Sequence, residues 1–185
     1  LLLKQKGKFV LDRDSEDKNV MFYACQEGNI EWVSILIKDM HERELTHEER
    51  SSYLSGSLQP AIKNGHYEIL KLLLKQKGKF VYITTSYLMM ACFYGHFEVC
   101  HLLLQQPDLD TNITNHLQNT AFILACISGE GKIVKMMLEV SSDRKINLNH
   151  RGLGGCTGFV IASQKKHEHI VKLLVTNSAK YNIDL

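Results

Sequence analysis

LLLKQKGKFV, residues 1–10 of the chain, recurs letter for letter as residues 72–81. Ten identical residues within a chain of 185 cannot match by chance, so the sequence contains an internal repeat. A shared frame, in which an anchor residue is followed by apolar residues at helical spacing, recurs at five places. These segments are GNIEWVSILI from Gly28, GHYEILKLLL from Gly65, GHFEVCHLLL from Gly95, GEGKIVKMML from Gly129 and KHEHIVKLLV from Lys166.

The anchors are 37, 30, 34 and 37 residues apart. These intervals scatter around the period of roughly 33 residues that is typical of helix-pair repeats. A glycine anchor suits the left-handed backbone just past a helix end, and the apolar spacing after it predicts a second helix. Such a unit cannot bury its apolar face alone, so the units must stack. An alanine that lets neighbouring helices approach closely stands four residues before every anchor, as Ala24, Ala61, Ala91, Ala125 and Ala162.

Composition excludes several classes of protein. The chain is 44% hydrophobic, carries 22 basic and 20 acidic residues, and has no apolar run long enough to span a membrane. We therefore expect neither nucleic-acid binding nor membrane insertion. The five cysteines form no CxxC pair and are interpreted as small buried hydrophobic residues, which favours an intracellular, cytoplasmic protein.

In these segments the sequence resembles ankyrin repeats, whose pattern runs roughly GxTPLHxAAxxGHxEVVKLLLxxGADVNA. The resemblance covers essentially the whole chain and implies an all-α fold, a solenoid of stacked helix-turn-helix units with short hairpin loops. It implies no catalytic activity and no cofactor. The matching segments are NGHYEILKLLL (64–74), YGHFEVCHLLL (94–104), NTAFILACISG (119–129), CTGFVIASQKK (156–166), DLDTN (108–112) and INLN (146–149).

The repeat frame predicts one ankyrin-repeat domain over residues 1–185. It begins with the end of an incomplete repeat, and five full repeats follow. The predicted boundaries are 1–11 for the incomplete repeat, 12–45 for repeat 1, 46–78 for repeat 2, 79–112 for repeat 3, 113–149 for repeat 4 and 150–185 for repeat 5.

Two departures from the family pattern affect stability. The TPLH proline, which presets the first helical turn, is absent from all five repeats, and only Thr120 and Thr157 keep the capping threonine. We therefore expect these repeats to be less stable than idealised ones. Lys166 replaces the fifth anchor glycine and should strain a left-handed turn by about 1 kcal/mol.

The interval after Gly28 contains an insertion, residues 38–57, that is rich in charge. Thr46 and Glu49 form a capping-box pattern, which predicts a short extra helix over about 47–54 in place of the hairpin of repeat 2. A solvated connection is favoured over a docking element. SSDRK at 141–145 is interpreted as a lengthened loop, and GLGG at 152–155 as a hairpin tip.

No motif for catalysis, phosphate binding or metal binding is recognised in the sequence. Three of the nine histidines, His66, His96 and His167, directly follow an anchor. The resemblance implies that histidine there hydrogen-bonds across adjacent loops. The chain is therefore not expected to be an enzyme or to bind a metal.

The resemblance also implies that hairpin tips and first helices line a concave face that binds a protein partner. Apolar and aromatic side chains concentrate in the middle of the array, where large aromatics would carry binding energy. The alternative that these aromatics only pack on neighbouring hairpins stays open. The predicted partner-binding residues are Tyr53, Tyr82, Ile83, Phe93, Tyr94, His116, Leu117 and Ile127.

Three functions remain compatible with the sequence. The leading one is a protein-protein interaction module, a scaffold or adaptor that binds a protein of unknown identity or further domains of the same chain. The second is the substrate-recruiting arm of a larger enzyme whose catalytic domain lies elsewhere. The third is a structural spacer that binds nothing specifically.

Overall fold

The structure, a computed structural model, describes residues 13–43, 45–54, 56–76 and 84–185. Over these ranges the chain forms α-helices and no β-strand, which confirms the all-α prediction. The chain divides into two compact units, residues 1–82 and 83–185. The incomplete repeat predicted over 1–11 lies outside the described residues.

The first unit contains two helix pairs and one additional helix. The first helices of its two repeats, α1 and α4, pack together, and so do the second helices, α2 and α5. The additional helix α3 lies in the connection between the pairs and packs on α1. The bounds are α1 Val20–Gln26, α2 Ile30–Glu42, α3 His47–Leu54, α4 Leu58–Lys63 and α5 Tyr67–Lys75.

The second unit contains three helix pairs. Its first helices α6, α8 and α10 form one layer, in which α8 contacts both neighbours, and its second helices α7, α9 and α11 form another. The bounds are α6 Thr85–Tyr94, α7 Phe97–Leu104, α8 Ala121–Ser128, α9 Gly131–Glu139, α10 Gly158–Gln164 and α11 Glu168–Tyr181.

The anchor turns have the predicted left-handed backbone. Gly28, Gly65, Gly95 and Gly129 have φ between 70° and 81°, and Lys166 has φ 61°. At two of these turns a side chain would also collide with a histidine of the next repeat. A Cβ on Gly28 would lie 2.6 Å from the His66 ring, and one on Gly129 would lie 2.8 Å from the His167 ring.

The histidines that follow the anchors link neighbouring repeats. The Nε2 of His66 donates to the carbonyl oxygen of Gln26 at 3.2 Å, and the Nε2 of His167 donates to that of Ile127 at 3.2 Å. For these two histidines the prediction of a hydrogen bond across adjacent loops is confirmed. Each bond contributes about 1 kcal/mol and fixes the spacing of two anchor turns.

Whether a side chain caps a first helix depends on which residue precedes that helix. The hydroxyls of Thr120 and Thr157 accept from the amides of Ile123 and Val160, which confirms both predicted caps. Asn19 caps α1 in the same way. In repeat 3 the helix instead begins at Thr85, before the segment aligned with TPLH, and its N-cap residue makes no side-chain cap bond.

The insertion forms the predicted helix. The backbone amide of Thr46 donates to the Glu49 carboxylate at 2.8 Å, and the Glu49 amide donates to the Thr46 hydroxyl at 3.2 Å, so the capping box is complete. Arg13 also donates to the carbonyl oxygen of Ser52 at 2.8 Å. These bonds and its contact with α1 make α3 part of the first unit.

Tyr53 was predicted as a hairpin residue exposed to a partner, and that prediction is wrong. The insertion places it in α3, where its side chain is fully buried. Its backbone carbonyl accepts from the buried amide of Asn19 at 2.8 Å. Burial also raises the pKa of the Tyr53 hydroxyl. The side chain of Tyr53 therefore belongs to the core of the first unit and is not available to a partner.

Loop contacts tie the repeats of the second unit together. The side-chain amide of Asn112 donates to the carbonyl of Lys145 at 2.7 Å and its oxygen accepts from the amide of Asn147 at 2.8 Å. Asn149 repeats this pattern with the end of the chain, on Asn182 and Asp184. The predicted loop at 141–145 is a run of turns after α9.

Candidate partner-binding surface

Three of the predicted binding residues lie together at the ends of two first helices. Phe93 and Tyr94 form the last turn of α6, and Ile127 lies in the last turn of α8. Phe93 and Tyr94 are 50% and 44% exposed, and Ile127 is half-buried. We call these three residues the helix-end cluster.

The packing of α6 on α8 positions this cluster. Ala91 and Cys92 of α6 are fully buried, whereas the two residues that follow them, Phe93 and Tyr94, are exposed. The hydroxyl of Ser128, next to Ile127, shares its one proton between the carbonyl oxygens of Leu124 in its own helix, at 2.9 Å, and of Cys92, at 3.0 Å. Because Cys92 directly precedes Phe93, the bond to Cys92 holds the two helix ends of the cluster side by side.

The aromatic rings of the cluster are ordered by contacts with each other. The rings of Phe93 and Tyr94 meet edge to face with centroids 5.3 Å apart, and the Tyr94 ring lies parallel to that of His96 at 6.3 Å. An aromatic pair of this kind contributes about 0.5–1.5 kcal/mol. The rings are therefore held in place while much of their surface faces solvent.

Two further predicted residues, His116 and Leu117, lie at a hairpin tip before α8. The side-chain oxygen of Asn115 accepts from the amides of Leu117 at 2.9 Å and Asn119 at 3.0 Å, which closes the turn. Gln118 completes it with φ 56°. The turn leaves the side chains of both His116 and Leu117 exposed.

Leu153, at the next hairpin tip, was missed by the sequence analysis. It is 62% exposed, and its backbone amide donates to the carbonyl oxygen of Leu117 at 3.1 Å. Gly154 and Gly155 follow with φ 75° and 74°, which confirms the predicted tip. The position of Leu153 inside the predicted GLGG tip was the signal for its exposure, because connecting loops lie at the protein surface. We call Leu117 and Leu153 the hairpin-tip pair.

The structure does not bring all the predicted residues into one cluster. Leu117 lies before the start of α8 and Ile127 near its end, and the eight residues of this helix span about 12 Å. Leu124, between them on α8, is nearly covered. The helix-end cluster and the hairpin-tip pair are thus separate apolar points on the second unit. Tyr82 and Ile83 lie outside the described residues.

The helix-end cluster is specific to repeats 3 and 4. In the other repeats the two positions before the anchor carry polar or charged side chains, and most of these are exposed. Because the fold repeats while these side chains change, stacking does not require an aromatic there. These polar pairs are Gln26 and Glu27, Lys63 and Asn64, and Gln164 and Lys165.

Comparison with known proteins now assigns the family. A family model described as ankyrin repeats (3 copies) matches residues 1–85 and 88–184. The chain belongs to the ankyrin-repeat family. Ankyrin repeats are generally protein-protein interaction modules and are typically non-catalytic. No curated protein matches the chain.

The described residues hold few other candidates for a site. Among them, no group of three His, Cys, Asp or Glu side chains is arranged to hold a metal ion. No helix in the described part of the chain has both the length and the apolar character needed to cross a membrane.

Proposed function

We propose that this ankyrin-repeat chain is a scaffold or adaptor that binds a protein partner on the concave face of its repeats. The helix-end cluster of Phe93, Tyr94 and Ile127 forms the centre of the contact. The observation that carries the proposal is the half exposure of two ordered aromatic rings at positions where repeats 1, 2 and 5 have polar side chains. Aromatic side chains that are already held in place lose little conformational entropy on binding. Large aromatics also tend to contribute most of the binding energy of an interface.

The hairpin-tip pair extends the proposed surface. Leu117 and Leu153 present two exposed leucines on adjacent tips that are joined by a backbone hydrogen bond. His116 stands beside them and offers a polar group for orientation. We place Tyr82 and Ile83 on the same surface from their sequence positions alone. The module is proposed to work inside the cell, since all five cysteines are free thiols.

The test compares two double variants in a pull-down from cell extract. Phe93→Ala with Tyr94→Ala removes both rings of the cluster. We expect this variant to lose at least about tenfold in affinity for a captured partner, which corresponds to about 1.4 kcal/mol. Affinity is measured by titration of the partner after capture on the unchanged chain.

A matched control sits at the equivalent positions of repeat 5. Gln164→Ala with Lys165→Ala changes two exposed side chains at the same places in the repeat, so its affinity should stay within about twofold of the unchanged chain. Circular dichroism verifies that both variants fold. An affinity of the Phe93 and Tyr94 variant within twofold would show that the surface is wrongly placed. A pull-down that returns nothing saturable would support the spacer function instead.

A further inference from the structure

The anchor turn of repeat 4 carries a carboxylate where three other repeats carry an imidazole. Glu130 directly follows its anchor Gly129 and is half-buried. In repeats 2, 3 and 5 the residue after the anchor is a histidine, namely His66, His96 and His167.

The carboxylate occupies the same place in the stack as an imidazole. A Cβ on Gly95 would lie 2.5 Å from Oε1 and 2.7 Å from Cδ of Glu130, just as a Cβ on Gly129 would lie 2.8 Å from the His167 ring. Gly95 is the residue that follows Tyr94 and ends α6. Glu130 therefore borders the helix-end cluster.

The exchange of histidine for glutamate changes the hydrogen bonding at this turn. The Nε2 of His167 donates to the carbonyl oxygen of Ile127, two residues before the anchor of repeat 4. The equivalent acceptor for Glu130 is the carbonyl oxygen of Phe93, and an ionised carboxylate has no proton to donate to it. Within the described part of the chain, no group donates to the Phe93 carbonyl or to the Glu130 carboxylate. Both acceptors are left for solvent or for a partner.

The helix ends beside Glu130 add negative charge rather than offset it. Neither α6 nor α8 has a basic residue in its last turn, whereas α4 has Lys63 there. The C-terminal end of a helix carries a partial negative charge and favours a cation. No Lys or Arg of the described residues forms an ion pair with Glu130. A positively charged group is therefore favoured at this edge of the helix-end cluster.

We infer that the partner presents an arginine to Glu130, next to an apolar side chain that contacts Phe93 and Tyr94. A guanidinium has a fork of N–H donors, so it can bind the carboxylate in a bidentate manner and still donate to a carbonyl oxygen. It also stacks on aromatic rings, and the ring of Tyr94 is exposed beside it. The inference rests on the proposed function and adds the chemistry of the partner to it.

A peptide-display selection tests the inference with a defined probe. The probe is a library of random heptapeptides, selected in parallel on the unchanged chain and on the Phe93→Ala, Tyr94→Ala double variant. Peptides that are enriched only on the unchanged chain bind at the helix-end cluster. Among these we expect arginine at one position, at least about threefold above its frequency in the unselected library, with an apolar residue beside it.

A double-mutant cycle on the tightest of these peptides identifies the acceptor. Glu130→Gln removes the charge and keeps the shape of the side chain, so it should weaken binding at least about tenfold. Replacing the arginine of the peptide by glutamine should weaken binding to the unchanged chain by a similar factor. The same replacement should weaken binding to the Glu130→Gln variant by less than about twofold, because the interaction is already lost. Isothermal titration calorimetry measures the four affinities.

Two further variants make the test specific. Glu139→Gln is the matched control, since it removes the same charge from an exposed side chain at the other end of α9, and its affinity should stay within about twofold of the unchanged chain. Glu130→His installs the side chain that three other repeats have, and it should fold while the preference for arginine is lost. Circular dichroism verifies that every variant folds.

The outcomes separate the inference from the function on which it rests. Enriched peptides without arginine overturn the inference and leave the proposed binding surface intact. Arginine peptides that bind the Glu130→Gln variant as tightly as the unchanged chain do the same. A selection in which no peptide distinguishes the unchanged chain from the Phe93 and Tyr94 variant overturns the proposed surface, and the inference with it.

Discussion

At the residue scale, backbone conformation decides which side chains the anchor turns accept. Four anchors are glycines with φ between 70° and 81°, whereas Lys166 adopts φ 61° with a Cβ. A left-handed conformation costs a non-glycine residue about 1–2 kcal/mol. Lys166 is exposed, so its side chain offsets none of this cost by burial.

We predict that Lys166→Gly stabilises the chain. The gain should be about 0.5 kcal/mol, because the relief of strain exceeds the entropy that glycine adds to the unfolded chain. The measurement is urea unfolding followed by circular dichroism. Lys165→Gly is the control, since it removes the same charge one residue earlier, where φ is −83°, and should destabilise. Equal shifts in the two variants would contradict the strain at Lys166.

The anchor residues were predictable from the sequence, and Tyr53 was not. A glycine before an apolar helical pattern leaves few conformations open, so local chemistry alone indicated the left-handed turns at Gly95 and Gly129. The burial of Tyr53 depends on α3 packing against α1, a contact between segments far apart in sequence. No local pattern encodes that contact, so an aromatic in a charged insertion was wrongly interpreted as exposed.

At the scale of elements, the missing prolines matter at the first residue of the first helices. Ala121 and Gly158 occupy this position in α8 and α10, directly after the capping threonines. Thr120 and Thr157 have extended backbone, with ψ 170° and 168°, which a following proline requires. Ala121 already has a Cβ in its buried site, whereas a Cβ at Gly158 would collide with its neighbours.

We predict opposite effects of proline at these two helix starts. Ala121→Pro should raise the free energy of unfolding by about 0.4–1 kcal/mol by restricting the unfolded chain. Gly158→Pro should lower it by about 1–3 kcal/mol, because a Cβ there would lie 2.9 Å from both the Cys126 sulfur and a Phe122 ring carbon. Urea unfolding of the two single variants measures both. A shift in the same direction for both would show that packing at Gly158 is not the determinant.

Element boundaries were predictable where a side chain forms the cap. The capping box at Thr46 and Glu49 indicated α3 over 47–54, and the helix forms over His47–Leu54. The start of α6 was not indicated, because its N-cap Thr84 makes no side-chain cap bond and the helix begins before the aligned segment. Without a capping bond, packing of α6 against α8 decides where that helix starts.

At the scale of the whole molecule, the repeat pattern predicted the helix pairs but not which side chains are exposed. The pairs of the described residues follow the anchors, and the chain belongs to the family that the pattern resembles. The division into two compact units at residues 82 and 83 falls in the shortest interval between anchors. The anchor spacing did not predict this division, because it gives the number of residues between anchors and not how the helices pack. The exposure of Leu153 likewise depends on how its hairpin sits beside the hairpin of the preceding repeat.

The five cysteines are spread along the chain, and their burial predicts that a single thiol is reactive. Cys25, Cys92, Cys100 and Cys126 are buried, and Cys156 is half-buried in a hairpin. Burial raises the pKa of the Cys25 and Cys126 thiols to about 12. The contact with Cys100 and burial raise the pKa of Cys92. Because the thiolate is the nucleophile, the thiols with raised pKa stay protonated and unreactive near neutral pH.

We therefore predict that iodoacetamide at about pH 8 modifies the folded chain once, at Cys156, and the unfolded chain at all five cysteines. Intact mass spectrometry counts the adducts. Cys156→Ser should abolish the fast adduct and leave four that form only in denaturant, since the other thiols open only when the helices separate. Rapid modification of Cys126 in the folded chain would contradict the packing of α8 on α6 on which the proposed binding surface depends, and rapid modification of Cys25 would contradict the packing of α1 on α4.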